Sequence, residues 1–242
     1  MNQAGAANNG NSRTDVIVEA CVGSLDGALI AQQAGADRIE LNLALELDGL
    51  TPSPGLVSLV SQAVRIPIIT MARPRAGDFF YTESEWETLL ADATWQLENG
   101  ADGIAFGCLD SNGQVDQDRC RQMRSLSGTH EVVFHKAFDE VADWASGLEI
   151  LIESGINRVM TSGQQPTAMA GIETLSAIFE LADGRIEVLP AGGVGSVNAL
   201  KILEKTGCNQ IHGSFSSGAD GDVLNEICRT VDLIRSRFGP VS

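Results

Sequence analysis

Soft metal ligands are few in this chain and never paired. Five cysteines (Cys21, Cys108, Cys120, Cys208, Cys228) and three histidines are spread over 242 residues with no CxxC and no HxxxH. That leaves no zinc site to be argued from spacing. The odd, unpaired cysteine count points to reduced thiols and a cytoplasmic protein, not a disulfide framework. No apolar run approaches the roughly 20 residues that cross a bilayer. Met1 to Asp15 lacks the basic and apolar regions of a secretory signal, so residues 1–15 are expected to be a flexible polar tail. Positive charge is also scarce: 16 Lys and Arg stand against 32 Asp and Glu, for a net charge of −16. A chain so acidic has no generic attraction for nucleic acid or an anionic membrane. Its Asp and Glu are scattered, as a solubility charge on helix faces would be.

What is present is a regular alternation. Strand-like runs are expected at Val16–Ala20, Arg38–Leu41, Ile66–Met71, Gly103–Phe106, Glu131–Phe134, Arg158–Met160, Ile186–Leu189 and Gln210–His212. An amphipathic helical pattern follows each, with Ser24, Ser84 and Ser196 placed as N-caps. Eight such units without a linker predict one α/β domain over residues 16–242, a single (β/α)8 TIM-type barrel. A weak repeat supports this: Gly35-Ala-Asp37, Gly100-Ala-Asp102, Gly155-Ile-Asn157 and Gly207-Cys-Asn209 each precede an even-numbered strand. The glycine ends a helix at positive φ and the Asp or Asn turns into the strand.

In a parallel barrel, ligands bind at the strand C-terminal ends. Arg73-Pro-Arg75-Ala-Gly-Asp78 follows the third strand, and two guanidinium groups so close call for carboxylates or an anionic ligand. Side chains alternate along a strand, so Glu19 and Cys21 share one face, as do Arg38, Glu40 and Asn42. This charged set should point into the barrel, as a compensated network or a functional site. His135 and His212 fall at strand ends as candidate acid–base groups or metal ligands. Asp78 and Asp139 are candidate orienting groups, with a turn anchor the simpler role for Asp139. Gly192-Gly193-Val194-Gly195 and Gly213-Ser214 lie where such barrels hold phosphate, and Thr161 and Ser162 could add hydroxyl donors.

The same strand ends resemble the CutC copper-homeostasis family. The segments are Val18-Glu19-Ala20-Cys21, Asp37-Arg38-Ile39-Glu40-Leu41, Gly49-Leu-Thr51-Pro-Ser53, Arg73 to Phe79, Phe134-His135-Lys136-Ala137-Phe138-Asp139, Thr161-Ser162-Gly163, Pro190-Ala-Gly192-Gly193 and His212-Gly213-Ser214. They stand in the family's order and cover nearly the whole chain after the tail. The resemblance implies a cytoplasmic TIM-type barrel, a homo-oligomer, and a role in handling Cu(I). Cys21 matches one of the family's two proposed Cu(I) ligands. The other is replaced by Asn42, and Lys136 stands where the family commonly has Arg. Cys108, after the fourth strand, is the other candidate soft ligand in this chain.

Two readings follow. One is a Cu(I)-binding protein using Cys21, completed by His135, His212 or Cys108. The other is an isomerase- or lyase-type enzyme on a small anionic, possibly phosphorylated, metabolite. In it Arg38, Arg73, Arg75, Asp78, Lys136, Thr161, Ser162, Gly192, Gly193, Gly213 and Ser214 bind, while Glu19, Glu40, His135 and His212 move protons.

Overall fold

A computed structural model of the chain describes residues 15–215 and 222–241. The expected tail, apart from Asp15, lies outside the described residues. Eight strands alternate with eight helices: β1 (Ile17–Val22), α1 (Leu25–Gln33), β2 (Arg38–Leu41), α2 (Pro54–Ala63), β3 (Ile68–Met71), α3 (Glu83–Glu98), β4 (Gly103–Phe106), α4 (Gln117–Ser127), β5 (Glu131–Phe134), α5 (Trp144–Glu153), β6 (Arg158–Thr161), α6 (Ile172–Ala182), β7 (Glu187–Pro190), α7 (Ala199–Thr206), β8 (Gln210–Gly213) and α8 (Val223–Phe238). All pairings are parallel, in the order β7-β6-β5-β4-β3-β2-β1-β8. The two ends, β7 and β8, lie against each other, and the result is a (β/α)8 barrel.

Local chemistry explains the boundaries. β3 begins only after Pro67, which has no N–H to give a ladder. Ser24 caps α1, and Ser53 caps α2 with Pro54 in its first turn. Two expected caps move. Thr82, not Ser84, starts α3 through a capping box with Glu85. Ser196 does not cap α7, which starts after Asn198.

The repeat has a structural purpose. Gly35, Gly100, Gly155 and Gly207 all take positive φ, between 72° and 103°. The next polar residue then ties two strands together. Asp37 accepts from the Val18 N–H at 2.7 Å, Asp102 from Ile68 at 2.8 Å and Asn157 from Val132 at 2.9 Å. The turns into β2, β4 and β6 thus each pin the start of the odd strand before them.

Val18, Ala20, Ile39, Leu41 and Ile211 are buried in the layer between strands and helices. Burying each of the Val, Ile and Leu side chains contributes about 1.5–3 kcal/mol. The barrel interior is divided. From β3 to β7 it is lined by Ile69, Met71, Ala105, Val133, Met160, Leu189 and Ala191. On the β1, β2 and β8 side it is polar: Glu19, Arg38, Glu40, Asn42, Gln210 and His212 are all buried.

Candidate functional site

The polar half is built in two tiers. In the lower tier, Arg38 pairs with Glu19 and donates to Gln210 Oε1 at 2.9 Å. Gln210 donates to Glu187 at 3.2 Å, and Arg158 bridges Glu187 at 2.7 Å and Glu131 at 2.8 Å. Carboxylate and amide partners of this kind offset much of the cost of burying a guanidinium. Arg38 is therefore committed to the floor of the barrel and does not line the cavity above it.

The upper tier follows from strand register. β1 pairs with β8 so that Glu19 lies opposite His212, and with β2 so that Cys21 lies opposite Glu40. His212 Nδ1 lies 2.7 Å from Glu19 Oε1, and its Nε2 lies 3.8 Å from Glu40 Oε2. Asn42 donates its amide to Glu40 Oε2 at 2.7 Å and to Cys21 Sγ at 3.3 Å. One ligand atom each from Cys21, Glu40 and His212 lies within 4.8 Å of the other two. Glu40 Oε1, although buried, has no hydrogen-bond partner. A buried carboxylate oxygen left bare is costly, and a cation beside it would remove that cost.

The protonation states follow from burial and these contacts. Burial alone would raise Glu19, but Arg38 and His212 outweigh it and hold its carboxyl well below the ordinary range. Burial pushes Glu40 up, with the Glu19 charge adding to it. Burial likewise pushes the Cys21 thiol up, aided by the Glu40 charge. Burial opposes charge on His212, yet Glu40 and Glu19 outweigh it and raise its imidazole.

Arg73 and His135 occupy another part of the same mouth. Arg73 Nη1 donates to the carbonyls of Leu47, Asp48 and Gly49, and Nη2 to that of Gly77 at 2.9 Å. It thereby fastens the loop after β2 to the loop after β3. His135 Nδ1 accepts the Ala137 N–H at 3.1 Å. Arg73 Nε and His135 Nε2 are both buried without a partner. The cavity, about 1010 Å³, is lined by these two residues and by Cys21, Glu40, Asn42 and His212.

The CutC family model matches residues 16–217. The chain belongs to the CutC family. A CutC family protein of Treponema denticola is 44% identical over 198 residues, covering 82% of this chain and 80% of the relative. The human "copper homeostasis protein cutC homolog" is 40% identical over 218 residues, covering 90% of this chain and 78% of the human one. The crystal structure of a Streptococcus agalactiae protein assigned as copper homeostasis protein CutC superposes with a TM-score of 0.79 at 29% identity, over 82% of this chain and 98% of that one.

Within this CutC barrel the expected site residues separate into groups. Cys21, Glu40 and His212 converge, with Glu19 and Asn42 behind them. Lys136, Gly192, Gly193, Gly213 and Ser214 line the same cavity. Other expectations are corrected. Arg75 does not join Arg73 at the cavity; it pairs with Glu85 at 2.6 Å and with the exposed Asp78 at 2.9 Å. Cys108 is fully buried, its Sγ 3.9 Å from the Asp116 carbonyl, and it does not reach the mouth. The Thr161 and Ser162 hydroxyls are given to Asp139, at 2.5 and 2.8 Å. Asp139 is a turn anchor, also accepting from the Ser162 and Gln164 N–H groups at 2.9 and 3.0 Å. At the β7 loop, Glu226 takes the Ser196 N–H at 2.7 Å, and Asn198 takes that of Gly195 at 2.9 Å. Those donors are not available to a phosphate.

Sequence reasoning passed over Met71 and Met160, which line the mouth. Methionine on a strand reads as core, and only barrel closure shows it facing a cavity. It also passed over Gln210, whose amide joins the two halves of the floor.

Proposed function

We propose that this CutC chain binds one copper(I) ion at the mouth of the barrel, between Cys21, His212 and Glu40. The observation that carries the reading is the convergence of those three ligand atoms beside a bare Glu40 oxygen. Copper(I) prefers a thiolate and accepts imidazole. Glu40 supplies charge more than ligand strength. Glu19 holds His212 through Nδ1, leaving Nε2 to face the metal, in the carboxylate–histidine–metal arrangement that fixes ring orientation. The name of the human relative, copper homeostasis protein cutC homolog, agrees with copper handling. A thiol-based Cu(I) site needs a reducing compartment, so the proposal carries a cytoplasmic location with it. The test is an anaerobic Cu(I) competition titration against a chromophoric chelator. Tight binding lost in Cys21→Ser is expected, and equal affinity in that variant would refute the ligand set.

A second reading, an isomerase or lyase acting on a small anionic metabolite, is favoured by the cavity. Its volume of about 1010 Å³ is far more than one ion needs and is of the size that holds an organic ligand. Thermal stabilisation of the metal-free chain by small organic anions tests it.

A further inference from the structure

The second reading leaves open what the cavity would take, and Arg73 and His135 narrow it. Each residue is only 4% exposed, each lines the cavity, and each keeps one N–H-bearing atom without a partner.

The His135 ring is locked. Its Nδ1 receives the Ala137 N–H, so that nitrogen holds a lone pair and the ring proton sits on Nε2. Gly107 leaves room for the ring edge: a Cβ there would meet Cε1 at 2.4 Å. The ring also packs 5.1 Å from the Phe79 centroid. An imidazolium would put two donors face to face at Nδ1, so the ring is neutral. Burial, with the nearby Arg73 charge, agrees, pushing its pKa down to about 3. A neutral Nε2–H is a donor suited to a carbonyl oxygen, which it polarises without transferring its proton.

Arg73 is buried, yet among the described residues no carboxylate lies within salt-bridge distance of it. Its hydrogen-bond acceptors are four neutral carbonyls, and the neutral Tyr81 phenol lies beside it. A buried cation without a counter-charge favours an anion beside it. Its guanidinium carbon sits 4.9 Å from the centroid of the same Phe79 ring that flanks His135. Met71, Met160 and Phe79 give this region an apolar lining for a short carbon skeleton.

We propose that Arg73 and His135 form a subsite for a small 2-oxo carboxylate, the ketone oxygen accepting from His135 Nε2–H and the carboxylate lying against Arg73. This rests on the metabolite reading and is separate from the copper ligands.

The test uses the full chain, freed of metal with a chelator and labelled with 15N at histidine. Pyruvate, acetate and acetone are titrated in separately. Pyruvate is expected to shift the His135 Nε2 resonance and to bind more tightly than the other two. His135→Gln and Arg73→Lys should each weaken pyruvate at least about tenfold, with the His212 resonance unchanged as the sign of an intact barrel. No His135 shift at saturating pyruvate overturns the subsite, even if a variant fails to fold. Pyruvate bound with equal affinity in both folded variants also overturns it, while leaving the metabolite reading standing. Failure of all three probes to bind overturns the subsite, and the metabolite reading is overturned only if other small organic anions also fail to stabilise the metal-free chain.

Discussion

His212 Nδ1 and Glu19 Oε1 are 2.7 Å apart although 193 residues separate them in the chain. Pairing of the last strand with the first creates this contact. It fixes the orientation of the imidazole that faces Cys21 and Glu40.

Glu19→Gln should therefore damage both stability and metal binding. It leaves Arg38 buried without its counter-charge, a loss of about 3–5 kcal/mol for a broken buried pair. It also frees the His212 ring, for which loss of such an orienting contact weakens metal affinity by about 10–100-fold. Because the Glu19 carboxyl is depressed in the folded state, its stabilisation is present above its ordinary pKa and is lost as pH falls below it. Urea unfolding over an acid series should show the native chain losing its advantage over the variant. A constant difference across that series would contradict the assignment.

Copper(I) affinity should rise with pH. Cys21 and His212 both have raised values, so each tends to hold a proton that the metal must displace. Competition titrations between about pH 6 and about pH 8 should show tightening of up to about tenfold per unit for each proton released. A flat profile would mean that neither Cys21 nor His212 ligates.

Glu40→Gln should separate function from stability. Burial disfavours the Glu40 charge, and Asn42 can still donate to an amide oxygen. At neutral pH the variant should unfold at a temperature about 2–4 °C higher, the shift that 1 kcal/mol gives in a chain of this size. Since the folded-state pKa of Glu40 is raised, the gain should shrink as pH falls and Glu40 becomes protonated. Differential scanning calorimetry at two pH values decides it, and a lower melting temperature at neutral pH would oppose the reading.

Asn42→Cys should strengthen copper binding. The Asn42 amide already lies 3.3 Å from Cys21 Sγ, so a thiol there would stand beside the first. A second soft ligand should raise Cu(I) affinity by about tenfold or more, or about 1.4 kcal/mol. Unchanged affinity under reducing conditions would place the metal elsewhere.

Asp139→Ala should destabilise the loop after β6 without touching the copper ligands. Four donors, Thr161 Oγ1, Ser162 Oγ and the Ser162 and Gln164 N–H groups, would lose one acceptor residue. A cost of about 1.5–3 kcal/mol is expected for a charge-assisted set of this kind. Copper titration should be unaffected, and a loss of binding would show that the loop shapes the metal site.

The sequence by itself determined the barrel. Apolar runs of strand length, alternation of faces, and the Gly-x-Asp/Asn turns are local patterns, and each acts through neighbours a few residues away. That is why strand placement, the inward face of Glu19 and Glu40, and the positive φ of Gly35 and Gly100 were legible. The family was legible too, because its motifs lie at strand ends in chain order.

Only the tertiary structure decided which charges are spoken for. Arg73 and Arg75 look alike in sequence, yet one is buried among carbonyls and the other is held by Glu85 and Asp78. Cys21 lies near the end of β1 and Cys108 just past the end of β4, yet one meets Glu40 and the other packs near Asp116. Arg38 and Glu40 share a strand face, yet one belongs to the floor and the other to the mouth. These outcomes depend on strand register around a closed ring and on contacts up to 193 residues apart. Local propensity carries no information about either, because the energy that fixes them appears only when the barrel closes and the buried charges must find partners.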